Sequence, residues 1–330
     1  MKAAVYTKYG PPGVVTLAEV AKPVPRDNEV LVRVRAATVS SADWRARSLS
    51  MPPGFRLLGR LVFGVLGPRQ KILGTELSGT VEVVGKAVTR FRVGDEVFAF
   101  PGAGLGAHAE YRVLPETGRI VHKPANLSFE EAAALSFGGT TALCFLRDKG
   151  GIRPGEKVLV VGASGSVGTA AVQIARHFGA EVTGVCSAAN AELVRSLGAA
   201  RVIDYNSEDF ASSGETWDII LDATGTAPFA RSGGALKPGG RLLVVLGNFA
   251  QALGLERPPK GSDKHIVAGV APEKLEDLQY LARLAEAGEY RPVIDRSYPL
   301  ESAAEAHAYV DTGRKRGNVV LTVAAPASAI

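Results

Sequence analysis

Apolar residues recur in two rhythms along the chain. Up to about residue 124, short runs rich in branched and small apolar side chains, at 3–6, 29–36, 77–84, 96–100 and 109–113, alternate with turns such as Val93-Gly94-Asp95. This pattern predicts a β-rich first segment. The rhythm changes at Ser128, which stands three residues before Glu131 and opens an Ala-rich helix with a capping-box pair. Strand and helix patterns then alternate. Strands are expected at 157–161, 181–186, 201–205, 218–223, 241–246 and 265–270, and helices at 167–178, 191–197 and 227–236. Such alternation specifies a doubly wound parallel sheet with right-handed crossovers. After Pro272 come an amphipathic helix to about residue 287, a second at 301–310 and a closing strand at 318–323. This tail is too short for a core of its own and is expected to pack on the N-terminal β segment. The expected domains are therefore 1–124 together with 271–330, and 125–270 between them.

The first strand of the alternating region runs straight into Gly162-Ala163-Ser164-Gly165-Ser166-Val167-Gly168 and a helix. A Gly-x-x-Gly-x-x-Gly run alone is weak, but between an apolar strand and a helix it is a dinucleotide-binding turn. Gly162 permits the tight turn, Gly165 lets backbone approach a pyrophosphate, and Gly168 lets helix and strand pack closely. The helix start offers N–H groups and partial positive charge to phosphate. The end of the next strand separates NADH from NADPH, because NADH binders place a carboxylate there for the ribose 2′-hydroxyl. Here it reads Val185-Cys186-Ser187-Ala188-Ala189-Asn190, without an acid. Ser187 and Tyr205 can donate to a 2′-phosphate, so NADPH is favoured. The matching cation is absent from 188–190. Arg314, Lys315 or Arg316 can supply it, or the three form a solvated surface cluster.

Composition narrows the class. Apolar residues are 46% and charged residues 22% of the 330, the profile of a globular protein, and the net charge of +5 is spread along the chain. No basic–aromatic nucleic-acid motif stands out, so nucleic acid is not an expected partner. Two cysteines, Cys144 and Cys186, can build neither a disulfide framework nor a thiolate zinc lobe. The chain opens directly into a strand pattern, and its greasiest stretch, 57–66, is too short to span a bilayer. A cytoplasmic location is expected, with no membrane partner.

Taken together, the motifs resemble the medium-chain dehydrogenase/reductase superfamily, and within it the zinc-free quinone oxidoreductases. The resemblance runs nearly end to end, through Ala37-Thr38-Val39-Ser40-Ser41-Ala42-Asp43, Gly74-Thr75-Glu76-Leu77-Ser78-Gly79, Gly139-Thr140-Thr141-Ala142, the Gly-rich turn, Val202-Ile203-Asp204-Tyr205, Lys237-Pro238-Gly239-Gly240 and Gly317-Asn318-Val319-Val320. It implies an α/β fold: a GroES-like β-rich catalytic domain, a Rossmann domain, an active site in the cleft between them, and a homodimer. By position it implies that Thr140 lies near the nicotinamide end and that Ser164, Gly165, Ser166 and Val167 hold the pyrophosphate. The Leu246-Gly247-Asn248 turn would approach the carboxamide, and Asn318 would lie close to the cofactor as the last strand begins.

Zinc alcohol dehydrogenases look similar throughout, and in them a Cys and a His-Glu pair help hold the catalytic ion. The matching positions here are Ser40 and Thr75-Glu76. Hydroxyls are poor replacements for thiolate and imidazole, so no metal site is expected. Without a Lewis acid, conjugated acceptors such as quinones and enones suit best, because the added charge delocalises. Ser40 can donate to the acceptor oxygen or merely cap the following helix. Asp43 can orient that helix start or the ribose hydroxyls. Trp44 and the apolar 51–66 stretch can roof a pocket or simply pack in a core. No catalytic acid is identified. A 2-enoyl-thioester reductase is the nearest rival, with Arg45, Arg47, Arg56, Arg60 and Arg69 as a possible anion entrance. An NADPH-binding protein with an RNA-binding or crystallin-like role is the alternative of another class.

Overall fold

The computed structural model describes residues 1–51 and 53–323. The N-terminal stretch carries β1 (Lys2–Val5), β2 (Thr16–Glu19), β3 (Glu29–Val39), α1 (Ser41–Ser48), α2 (Arg56–Phe63), β4 (Leu77–Val84), β5 (Glu96–Ala99), β6 (Tyr111–Pro115), β7 (Ile120–His122) and α3 (Phe129–Ala133). The middle continues with α4 (Ser136–Leu143), β8 (Lys157–Val161), α5 (Ser166–His177), β9 (Glu181–Cys186), α6 (Ala191–Ser196), β10 (Arg201–Asp204) and β11 (Trp217–Asp222). Next are α7 (Phe229–Ser232), β12 (Leu236–Val244), α8 (Phe249–Ala252) and β13 (His265–Val267). The tail adds α9 (Leu275–Glu286), β14 (Ile294–Pro299), α10 (Ala303–Asp311) and β15 (Asn318–Thr322).

These elements form two compact units. The first holds residues 1–51, 56–137 and the chain from 273 on; the second holds 53–55 and 138–272. The break thus falls at 137, whereas the change of rhythm places it at 124. The reason is α3, which the Ser128–Glu131 capping box starts and which packs on β3, β4 and β15 of the first unit.

The first unit is built on a seven-stranded sheet ordered β14-β15-β3-β4-β5-β7, with β6 also paired to β3. The closing strand reaches it by antiparallel pairing of β15 with β3, Val319 opposite Val39 and Thr322 opposite Ala36. Side chains alternating inward along these strands, among them Val32, Val34, Leu77, Val97, Ile120 and Leu321, form a fully buried core. β3 and β4 pair with Ala37 opposite Leu77, a register that brings Thr38 beside Glu76.

The second unit has six strands in the order β10-β9-β8-β11-β12-β13, all parallel. The strand order reverses between β8 and β11, and in such sheets ligands bind outside the carboxyl ends of the strands at that reversal. Leu159, Val161, Ile203, Ile220 and Leu242 are buried on one core. The helix expected at 227–236 shrinks to α7 followed by a single tight turn over Gly233–Ala235, because Gly233-Gly234 is costly in a helix interior. β13 stops at Val267, before Gly269 takes a φ of +114°.

Candidate functional site

In the second unit the turn after β8 is shaped by its three glycines for three different reasons. Gly162 has a φ of +81°, and a Cβ there would lie 2.4 Å from Thr224 Cγ2. A Cβ on Gly168 would lie 2.0 Å from the Gly162 carbonyl oxygen, so close packing of α5 on β8 excludes any side chain. Gly165 differs. It is the N-cap of α5 with ordinary extended dihedrals, and a Cβ would meet nothing nearer than 3.5 Å. Nothing within the protein requires glycine at 165, which is what a cradle kept open for a ligand's phosphates looks like. As N-cap it also brings no side chain to the first N–H groups of the helix. Ser164, Ser166 and Val167 stand on this turn and the first helical residues. Thr140 is buried on α4, two residues after Gly138, whose Cβ would lie 2.6 Å from the Ser166 carbonyl oxygen, so α4 backs directly onto the helix start.

The neighbouring strand end adds a polar group. Asn190 Nδ2 donates to Ser164 Oγ at 3.1 Å and to Ser187 Oγ at 3.3 Å, tying the ends of β8 and β9 together. Tyr205 is exposed beside them, its amide on the Cys186 carbonyl at 3.2 Å. Burial pushes the Cys186 thiol up to about 11, with Asp204 adding to the rise and Arg195 opposing it. Arg195 therefore brings positive charge to this edge, a candidate the sequence reading passed over along with Asn190. Across the reversal, the buried Asp222 carboxylate at the end of β11 accepts from the amides of Thr224, Gly225 and Ala227 at 2.8–2.9 Å. In the Leu246-Gly247-Asn248 turn, Asn248 and Gln251 cap each other at 2.8 and 2.9 Å, which starts α8.

In the first unit, the end of β3 carries a buried hydroxyl–carboxylate cluster. Ser40 is the N-cap of α1 and Asp43 its reciprocal partner. Ser40 Oγ donates to Asp43 Oδ2 at 2.6 Å and accepts from the Ala42 and Asp43 amides at 3.2 and 3.3 Å. The capping reading of Ser40 thus holds. The Asp43 carboxylate also receives the amides of Ser40 and Gly74 at 2.8 and 2.9 Å. Thr75 Oγ1 sits 3.3 Å from Ser40 Oγ and 3.4 Å from Asp43, the most loosely held hydroxyl of the group. Next to it, Glu76 is wholly buried and accepts from Thr38 Oγ1 at 2.5 Å and the Phe137 amide at 2.7 Å. Burial raises its carboxyl to about 7, against the pull of those two bonds and of Lys315. His108 Nε2 lies 2.8 Å from the Thr38 carbonyl oxygen.

The remaining expected residues separate. Trp44 packs on the core of the first unit with the Arg45 guanidinium over its ring at 5.3 Å. Arg47 is fully buried, paired with Asp311 and donating to the Gly10 carbonyl, which removes it from any anion entrance. Lys315 is not part of a solvated cluster: its Nζ donates to the Gly317 carbonyl at 2.6 Å, and burial lowers it to about 8. Arg314 is exposed, and Arg316 is exposed with its Nε 3.8 Å from Asp295. Asn318 opens β15 with its amide on the Val293 carbonyl.

Comparison with known proteins gives these arrangements a family. Residues 26–125 match the alcohol dehydrogenase GroES-like domain, and residues 197–321 match a family described as zinc-binding dehydrogenase. The chain belongs to the medium-chain dehydrogenase/reductase superfamily, in its quinone-oxidoreductase-like group. It is 32% identical to the chloroplast envelope quinone oxidoreductase homolog of Arabidopsis thaliana, over 97% of this chain and 98% of that one. It is 33% identical to the 2-methylene-furan-3-one reductase of Solanum lycopersicum, over 97% of this chain and 79% of that one. The quinone oxidoreductase structure from Coxiella burnetii superposes with a TM-score of 0.84 at 30% identity, covering 98% of this chain and 99% of that one. The first unit is thus the GroES-like domain, the second the Rossmann domain, and the chain is an oxidoreductase.

Zinc, which one matched family carries in its description, does not fit the donors here. Ser40 and Thr75 are neutral hydroxyls, the Asp43 carboxylate is occupied by amides and hydroxyls, and Glu76 is held by Thr38 and Phe137. Among the described residues, no group of three His, Cys, Asp or Glu side chains stands together as metal ligands must.

Proposed function

We propose that this chain is a cytoplasmic, zinc-independent, NADPH-dependent reductase of quinones or α,β-unsaturated carbonyl compounds, working as a homodimer. The observation that carries the reading is the Ser40–Asp43–Thr75 cluster: hydroxyls held by a buried carboxylate at the positions where zinc dehydrogenases carry metal ligands. The cofactor supplies the hydride. In the Rossmann domain, the open cradle at Gly165 and the bare N–H groups of α5 receive the pyrophosphate. The neutral Ser164–Ser187–Asn190 group, with no carboxylate, tolerates a 2′-phosphate. In the GroES-like domain Ser40 has its proton committed to Asp43, so Thr75 is the freer donor for the acceptor oxygen. A hydroxyl stabilises developing negative charge less than a cation does. It therefore serves acceptors that spread the charge through conjugation better than isolated aldehydes. The curated relatives named for quinone and furanone reduction support this acceptor class. For the dimer, β13 is an edge strand paired only with β12 among the described residues, which leaves its other edge for a second copy.

The test is a rate comparison on protein dialysed against EDTA. NADPH oxidation with a naphthoquinone or an alkyl enone is expected to persist after chelation and to exceed the rate with NADH. Activity that needs added zinc, a preference for NADH, or turnover of crotonyl-CoA alone would overturn the reading.

A further inference from the structure

We propose that the outer face of α2, with the loop that follows it, docks the protein on the surface of an anionic phospholipid bilayer. This helix is amphipathic in the wrong sense for a soluble surface. Its inward side is Gly59, whose Cβ would lie 2.8 Å from Met51 Cγ, and Phe63, which packs on the core. Its outward side carries Leu57, Leu58, Leu61 and Val62, between 47% and 73% exposed, and the loop continues with Val65 at 51% and Leu66 fully exposed. Six large apolar side chains in ten residues make a contiguous greasy patch, and soluble chains keep such patches for a partner.

Charge says which partner. The helix itself carries Arg56 and Arg60, and the loop ends on Arg69 and Lys71, all exposed and all without an ion pair among the described residues. No Asp or Glu occurs between Asp43 and Glu76. A leucine-rich face with unpaired arginines beside it is the composition of a helix lying in the headgroup plane, apolar side down and guanidinium groups on lipid phosphates. No helix of the described residues is long and apolar enough to cross a membrane, so the contact is in-plane. A second copy of the chain fits worse. A two-fold contact places each patch on its own image, which would set arginine against arginine with no acid to offset them.

The experiment is co-sedimentation of the purified chain with mixed phosphatidylcholine–phosphatidylglycerol vesicles and with pure phosphatidylcholine vesicles. Binding to the mixed vesicles alone, weakened by salt, is expected. Arg56→Gln with Arg60→Gln should lower the partition coefficient roughly 30-fold, from about fivefold per arginine near the surface. Leu57→Ser with Leu61→Ser should remove most of the binding. Leu66→Ser changes only a fully exposed side chain and should still weaken binding severalfold, which covers the case where the double variant misfolds. No sedimentation with mixed vesicles, equal binding to both vesicle types, or variants that bind like the parent would overturn the proposal. So would a drop in the solution mass of Leu66→Ser, which would make the patch a contact between copies. Because none of these readouts uses turnover, the proposal stands or falls apart from the assigned activity.

Discussion

Ser40 Oγ and Asp43 Oδ2 lie 2.6 Å apart inside a capping box whose carboxylate also receives the Gly74 amide from a different strand connection. One buried side chain therefore starts α1 and anchors the loop before β4. Removing the two partners should have unequal costs. Ser40→Ala loses a cap oxygen and is expected to destabilise by about 1 kcal/mol. Asp43→Ala strands two buried amides and two hydroxyls and is expected to cost about 3 kcal/mol or more. Urea midpoints measure both, and equal costs would refute the asymmetric role assigned to Asp43.

The glycine turn makes a sharper separation between fold and ligand. Gly165→Ala meets no protein atom within 3.4 Å and has an allowed backbone, so its melting temperature should stay within a few degrees of the parent. NADPH affinity should fall at least about tenfold, since a methyl group then occupies the approach to the pyrophosphate. Gly168→Ala should instead destabilise the unliganded protein, because its Cβ would sit 2.0 Å from a backbone oxygen. Calorimetry with and without NADPH distinguishes the two variants.

Asn190 sits between Ser164 and Ser187 and keeps that corner neutral. Asn190→Asp places a carboxylate there at nearly unchanged volume, where it repels a 2′-phosphate and can accept from a ribose hydroxyl. The ratio of kcat/KM for NADPH over NADH is expected to fall by about tenfold or more, equivalent to ~1.4 kcal/mol. An unchanged ratio would show that the 2′ position is read elsewhere.

Much of this was legible in the chain because it is local. The strand–turn–helix at 157–177 is written in consecutive apolar residues and three spaced glycines, and β8 and β9 fall where the apolar runs place them. The Ser128–Glu131 box is likewise a local signal. What escaped is carried by register or by polar edges. β14 reads Ile-Asp-Arg-Ser-Tyr-Pro, half of it exposed, with no alternation to mark it, and β7 has three residues. Thr38 and Glu76 meet only because β3 and β4 pair with Ala37 opposite Leu77. Lys315 looked like one of three solvated cations, and nothing near it in sequence announces the buried Glu76 whose charge acts on it.

His307 gives a stability signature at mildly acid pH. It is wholly buried, neither ring nitrogen has a hydrogen-bond partner, and its ring contacts His108 edge-on at 5.6 Å. Burial, with His108 and Arg47 adding positive charge, holds its pKa well below the ordinary 6.5. The unfolded chain then takes up a proton below pH 6.5 that the folded chain refuses, so stability falls with pH there. His307→Phe should flatten that fall, by about 1.4 kcal/mol per pH unit below 6.5, as followed by urea unfolding at pH 5 to 7.

Glu76 bends the curve the other way. Its carboxyl is raised to about 7 from an ordinary 4.5, chiefly because burial penalises the charged form. Below 4.5 folded and unfolded chains both hold the proton, and the contribution to stability is fully present. As pH rises toward 7 the unfolded chain ionises first, so this contribution is lost, by about 3 kcal/mol in total, and above 7 it stays lost. Glu76→Gln keeps a neutral side chain throughout and should abolish the slope, so that the parent-minus-variant difference changes by about 3 kcal/mol between pH 4.5 and 7. Lys315 opposes the rise through its charge. Lys315→Met should therefore move the upper end of the slope above 7, which the same titration reads directly, and an upper end that stayed put would detach Lys315 from Glu76.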